Sequence, residues 1–183
     1  MTRSLAQIEE ELSRLAPAPR NTGSVNGLVL RPSRGERKTV ERLELDIEKG
    51  ILGDRWGSKR HKSKNRQVSA IRSDVLHCLA GHAEEALSGD NLHLDLDLSE
   101  QNLPIGSEVA IGSKVRLRVS PEVYGPCHLF EARFGKNAYA ASISETWLPL
   151  RGRGVLLEVI HGGEIQIGDT ITVVKRTEPT NTR

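Results

Sequence analysis

The sequence predicts a mainly β protein: a closed or nearly closed β-barrel with a few short helices and an N-terminal helix. Three observations carry this. Short segments of alternating apolar residues recur along most of the chain, as expected of strands with one buried face. Turn signals containing glycine separate them. A brief internal echo, Ile105-Gly106-Ser107-Glu108-Val109 against Ile167-Gly168-Asp169-Thr170-Ile171, twice sets a glycine and a polar residue just before a strand. Many short strands joined this way favour a sheet closed on itself, with helices plugging or flanking it.

In chain order, Leu5, Ile8, Leu12 and Leu15 fall near helical spacing, Ser4 and Gln7 suit a capping box, and Pro17 and Pro19 end the helix. Residues 1–22 are therefore expected to form an N-terminal helix and linker, 23–176 the barrel domain, and 177–183 a polar, flexible tail. Strands are expected over 25–30, over 40–47 with Val40, Leu43, Leu45 and Ile47 apolar, and over 68–71. A helix is expected over 73–87, with Val75, Leu76, Leu79 and Ala83 on one side. Residues 108–120 read as a hairpin turning at Gly112-Ser113, with Val115, Leu117 and Val119 pointing one way. Strands within 155–160 and 165–174 complete the set.

The 183 residues suit one domain, and 37% hydrophobic with 27% charged residues is ordinary for a soluble globular chain. Aromatics are 3%, so the core rests on aliphatic side chains. A formal charge of +2 does not by itself imply nucleic acid. No apolar run approaches the roughly 20 residues of a membrane helix. Glu9, Glu10 and Glu11 break any signal-peptide pattern, so the expected location is cytoplasmic. With Cys78 and Cys127 alone, neither a disulfide scaffold nor a four-thiolate metal site is expected.

Cys127 is the first candidate for chemistry. It lies in Tyr124-Gly125-Pro126-Cys127-His128, directly after a strand, where Pro121 and Pro126 stiffen the approach. A thiolate so presented is a nucleophile, a soft metal ligand and a carrier of persulfide sulfur. On the residues alone the other reading, a buried apolar cysteine, stays open. Cys78 sits within the apolar pattern of Val75, Leu76 and Leu79 and reads as core.

The second candidate is a basic stretch. Arg55, Lys59, Arg60, Lys62, Lys64 and Arg66 fall within twelve residues, with Trp56, Gly57 and His61 interleaved and no acidic residue from Arg55 through Ser73. Such a loop suits a phosphate, or it is simply a solvated charged loop. Arg151-Gly152-Arg153-Gly154 suits a second anion clamp or a charged turn, and Asn91 in Gly89-Asp90-Asn91-Leu92 suits a heterocycle edge. The phosphate-loop, HExxH and GxSxG motifs are absent, and the six histidines lack zinc spacing.

Gly53-Asp54-Arg55, Arg66-Gln67-Val68-Ser69, Gly89-Asp90-Asn91-Leu92, Pro104-Ile105-Gly106, Gly125-Pro126-Cys127 and Gly168-Asp169 occur in an order that resembles the MOSC domain. This is the C-terminal domain of molybdenum cofactor sulfurases, here in its free-standing bacterial form, and the resemblance spans residues 25–174. It implies a fold similar to the barrel domain of pyruvate kinase. It implies a cysteine, Cys127, that accepts sulfur as a persulfide or ligates molybdenum in the molybdenum cofactor, molybdopterin. It implies that Arg55, His61, Arg66 and Arg151 hold the cofactor's phosphate and that Asn91 meets the pterin.

The expected partners are a cysteine desulfurase or an electron-donating reductase. The chain has no pyridoxal phosphate site of its own and no cysteine cluster for an iron–sulfur centre. Metal held on Cys127 implies support for reduction of N-hydroxylated compounds. Gly125 stands where nitrogen-reducing relatives often carry arginine, which leaves the activity open between sulfur transferase and molybdenum-dependent oxidoreductase component. Two alternatives stand beside this reading: a metal-free sulfur carrier, and a non-catalytic anion- or nucleic-acid-binding β-barrel. Two Phe, two Tyr and two Trp are few for stacking bases, which argues against nucleic acid.

Overall fold

The structure is a computed structural model that describes residues 3–60, 62–124 and 128–178. Its barrel strands are β1 (Thr22–Leu30), β5 (Val68–Arg72), β6 (Leu92–Asp95), β7 (Glu108–Ile111), β8 (Val115–Val119), β9 (Val155–His161) and β11 (Thr170–Lys175). They pair in the order β11-β7-β8-β9-β5-β6-β1, and β1 pairs back onto β11, so seven strands close a barrel. β2 (Lys38–Thr39) extends β1, and β10 (Gly163–Gln166), β3 (Arg42–Asp46) and β4 (Gly50–Ile51) make a separate three-stranded sheet. The helices are α1 (Leu5–Ser13), α2 (Ser73–Ala80), α3 (His128–Phe134) and α4 (Lys136–Ser142). The mainly β class with an N-terminal helix is as the sequence predicts.

Closure depends on β1 serving two neighbours. Its first half pairs β11 through Thr22, Gly23 and Ser24, and a bulge between Val25 and Gly27 re-aims it along β6. Gly23 is required there, because a Cβ would lie 1.7 Å from the Asp95 carbonyl oxygen. β5 and β6 form the parallel pair, and α2 supplies the crossover such a pair needs. The hairpin at Gly112 and the paired echo are both observed. Gly106 and Gly168 adopt φ of +84° and +88° ahead of β7 and β11, which lie side by side.

Aliphatic side chains fill the barrel: Val25, Leu28, Val68, Ala70, Leu92, Leu94, Ile111, Leu117, Leu157 and Ile171 among others. A second apolar cluster joins α1, α2, α3 and α4 through Ile8, Leu12, Val75, Leu79, Phe130 and Ala141, with Trp147 packed among them. Cys78 is buried in this cluster, and burial pushes its thiol up to about 11. The Ser4–Gln7 capping box forms as expected.

Three expectations are corrected. The helix over 73–87 stops at Ala80, because Gly81 takes φ +61° and only a short 3₁₀ turn, Glu85–Ser88, follows. Residues 165–174 are two strands, not one, split by the turn at Gly168. β6 and the two helices over 128–142 were not anticipated. No helix among the described residues is long and apolar enough to cross a membrane.

Candidate functional site

A cleft of about 450 Å³ lies against the barrel wall, within the range of small-molecule sites. Its floor is the cross-strand pair Ser69–Leu156 of β5 and β9. Their neighbours Val68, Ala70, Val155 and Leu157 belong to the barrel core, so by strand alternation Ser69 and Leu156 face outward. The cleft therefore lies on the outer face of β5 and β9, while aliphatic side chains occupy the barrel interior.

The lining is strongly cationic. Arg31, Arg37, Arg55, Lys59, Arg66, Arg133 and Arg153 face it, with Asp54 the one carboxylate among the described lining residues. That carboxylate is already matched. Arg31 Nε donates to Asp54 Oδ2 at 2.8 Å and Arg31 Nη2 to Oδ1 at 3.1 Å. Trp56 N–H and Asn91 Nδ2 donate to the same group at 2.9 and 3.1 Å. Burial alone would raise the Asp54 carboxyl; the Arg31 pair and the two further donors hold it below the usual carboxylate range. Partial burial and the positive field of Arg55, Arg31 and Arg66 lower the Lys59 ammonium, as expected where cations crowd without a counter-anion.

Gly89, with φ +76°, lets the cations converge. Arg31 donates to its carbonyl at 3.1 Å, and a Cβ there would meet Arg37 Nε at 3.2 Å. Arg133 donates to Leu87 O at 2.7 Å. One wall is a buried polar cluster. Tyr124 OH donates to Asp90 Oδ1 at 2.6 Å, and Arg153 Nη1 donates to Asp90 Oδ2 at 2.9 Å. The Arg153 guanidinium stacks 4.3 Å from both the Tyr124 and Phe130 ring centres. Burial, with Asp90 beside it, pushes the Tyr124 phenol above its usual range.

Of the residues singled out in the sequence, Arg55, Trp56, Lys59, Arg66 and Arg153 line the cleft. Arg66 also pairs with Glu122, which accepts from Ser63 at 2.6 Å. Asn91 lies beneath the floor. Its amide donates to Val29 O and Asp54, and its oxygen accepts from Ser69 N–H and hydroxyl. It orders the site from below and presents no edge to a ligand. Arg151 is not in this cleft. It adopts φ +53°, donates to Leu98 O and Leu103 O at 3.1 and 2.8 Å, and lines an adjacent cavity. His61 and Cys127 lie outside the described residues. Sequence reasoning missed Arg31, Arg37 and Arg133, as well as Asp90, Tyr124 and the role of Arg153. Arg31 alone left a trace, a cation closing the apolar strand β1. Among the described residues no three His, Cys, Asp or Glu are grouped to hold a metal ion.

The family model for the MOSC domain matches residues 57–172. The YuaD protein of Bacillus subtilis shares the fold at TM-score 0.61 and 19% identity, covering 85% of this chain and 97% of that one. YiiM from Escherichia coli does so at TM-score 0.57 and 21% identity, covering 84% and 71%. YiiM from Geobacillus stearothermophilus aligns at TM-score 0.50 and 15% identity, covering 87% and 76%. No curated protein matches this chain. A barrel of this topology and a matching family model over most of its length make one conclusion: the chain belongs to the MOSC domain family, which is associated with molybdenum cofactor binding and sulfur handling.

Proposed function

We propose that the cleft binds a small anion of the molybdopterin class and that Cys127 works beside it, as molybdenum ligand or as persulfide carrier. The observation that carries this is the convergence of seven cations on one cleft whose own carboxylate is already neutralised. Arg55 and Lys59 make no side-chain hydrogen bond or ion pair with another described residue, so they meet an incoming phosphate without first breaking one. Val123, Tyr124 and Leu129, on either side of Cys127 in the chain, line the same cleft, which supports a thiol working there.

The donor set fits the anionic part of the cofactor. Arg55, Lys59 and Arg66 would hold its phosphate, and Cys127 would be the soft ligand. When bound, the cofactor supplies the redox chemistry. The protein's part is to bind and orient the anion, and Asp54 and Asn91 keep Arg31 and Ser69 in place for this. Electrons would come from a separate reductase.

The metal-free reading uses the same thiol. The Cys127 thiolate attacks the outer sulfur of a desulfurase persulfide, the S–S bond breaks, and the donor leaves as a thiolate. Elemental and pterin analysis of protein made in cofactor-producing cells separates the two. Stoichiometric molybdenum and pterin, with the metal lost in Cys127→Ala, is the expected result. A persulfide mass shift without molybdenum would transfer the assignment to sulfur carriage. Neither signal would remove both.

A further inference from the structure

Beside the cationic cleft lies a smaller cavity of about 90 Å³. Val123, Tyr124, Arg153 and Leu156 line both, so the two share a wall. Their chemistry differs. Ile105, Val123, Ile143 and Leu148 line the smaller one while exposed to 46%, 77%, 36% and 57%. Four large aliphatic side chains left in water around one opening are unfavourable unless something covers them, and such concentrations mark binding sites. Glu100 and Glu122 line this cavity with Arg151 and Arg153, so its charges are balanced, whereas among the described residues the cleft next door carries seven cations against one carboxylate that is already paired.

We propose that the two cavities form one site for an amphiphilic anion. The charged head sits in the cleft, and a compact aliphatic tail sits in the smaller cavity. Volume limits the tail: about 90 Å³ is well short of the roughly 150 Å³ that admits benzene, so a short alkyl chain fits and a ring does not. The separation of head and tail is fixed, because the shared wall is packed. Arg153 is stacked between Tyr124 and Phe130 and bonded to buried Asp90. The inference rests on the cleft's being an anion site and adds the class of molecule it selects.

The test is a binding titration of the full chain with inorganic phosphate and with methyl, ethyl, propyl and butyl phosphate. Burying one methylene is worth about fourfold in Kd. Affinity is therefore expected to rise roughly fourfold per carbon and to level off once the small cavity is full. Ile143→Ser with Leu148→Ser changes two exposed side chains outside the cleft. Inorganic phosphate should bind this double variant as before, while the dependence on chain length flattens. Phosphate binding without chain-length dependence in the parent chain, or dependence unchanged in the double variant, overturns the apolar compartment and leaves the cleft standing. Failure of inorganic phosphate to bind overturns both.

Discussion

Asp54 shows how a single buried charge can set up a surface for anions. Its side chain is fully enclosed, and it accepts from Arg31, Trp56 and Asn91, three groups that arrive from different loops and strands. Asp54→Asn keeps the shape and removes the charge, leaving a largely buried Arg31 unmatched. Breaking such a pair costs about 3–5 kcal/mol, and a lowered midpoint in urea at neutral pH is the expected reading. The pH dependence has a definite sign. The folded Asp54 carboxyl is depressed, so its contribution is complete above the unfolded value and is lost as pH falls through the folded one. The parent chain should therefore lose stability steeply below about pH 4, and the Asn variant should lose less over that range. Equal slopes would remove Asp54 as the cause. At this scale the sequence was legible only in part. Arg55 and Arg66 stand in a basic run that reads either as a phosphate-binding loop or as a solvated charged one, and both line the cleft. Asp90, Tyr124 and Arg153 lie far apart in the chain, and no local pattern links them before the barrel closes.

The elements were more legible than the residues, for a physical reason. Period-two alternation survives in strands that have one buried face, so β7, β8 and the Gly112 turn could be read directly. The segment over 128–142 buries Phe130, Ala138 and Ala141, and two small alanines give a weak helical stripe. The ending of α2 depended on a distant partner. Arg3 donates to Cys78 O and Leu79 O, at 2.6 and 3.0 Å, supplying partners for carbonyls that the helix itself leaves open. Its guanidinium lies against Gly81, where a Cβ would come within 2.6 Å of Arg3 Nη2. Arg3→Ala should then cost about 1–2 kcal/mol by loosening both α1 and the last turn of α2. Hydrogen exchange is expected to rise at residues 76–81 and to stay unchanged in β7 and β8. A uniform rise across the barrel would show that Arg3 acts on the fold as a whole and not on this helix end.

The whole molecule consists of two apolar clusters, one inside the barrel and one beneath the helices, and the question is whether they unfold as one unit. Connectivity says that they do. α2 carries Val75 and Leu79 into the helical cluster, and it is also the crossover that holds β5 parallel to β6 in the barrel wall. Loss of the helical layer would free that crossover, and opening of the barrel would remove the surface on which α2 packs. The two tryptophans report on the two parts separately. Trp56 is buried against Gly50 at the cleft side of the barrel, and Trp147 is buried in the helical cluster. In Trp147→Phe the remaining fluorescence follows the barrel, and in Trp56→Phe it follows the helical layer. Each denaturation curve is expected to coincide with the loss of far-ultraviolet circular dichroism measured on the same variant. Two separated midpoints would show that the helices detach before the barrel opens. The cation cleft, which takes Leu129 and Arg133 from α3 and its floor from β5 and β9, would then be lost at the first transition.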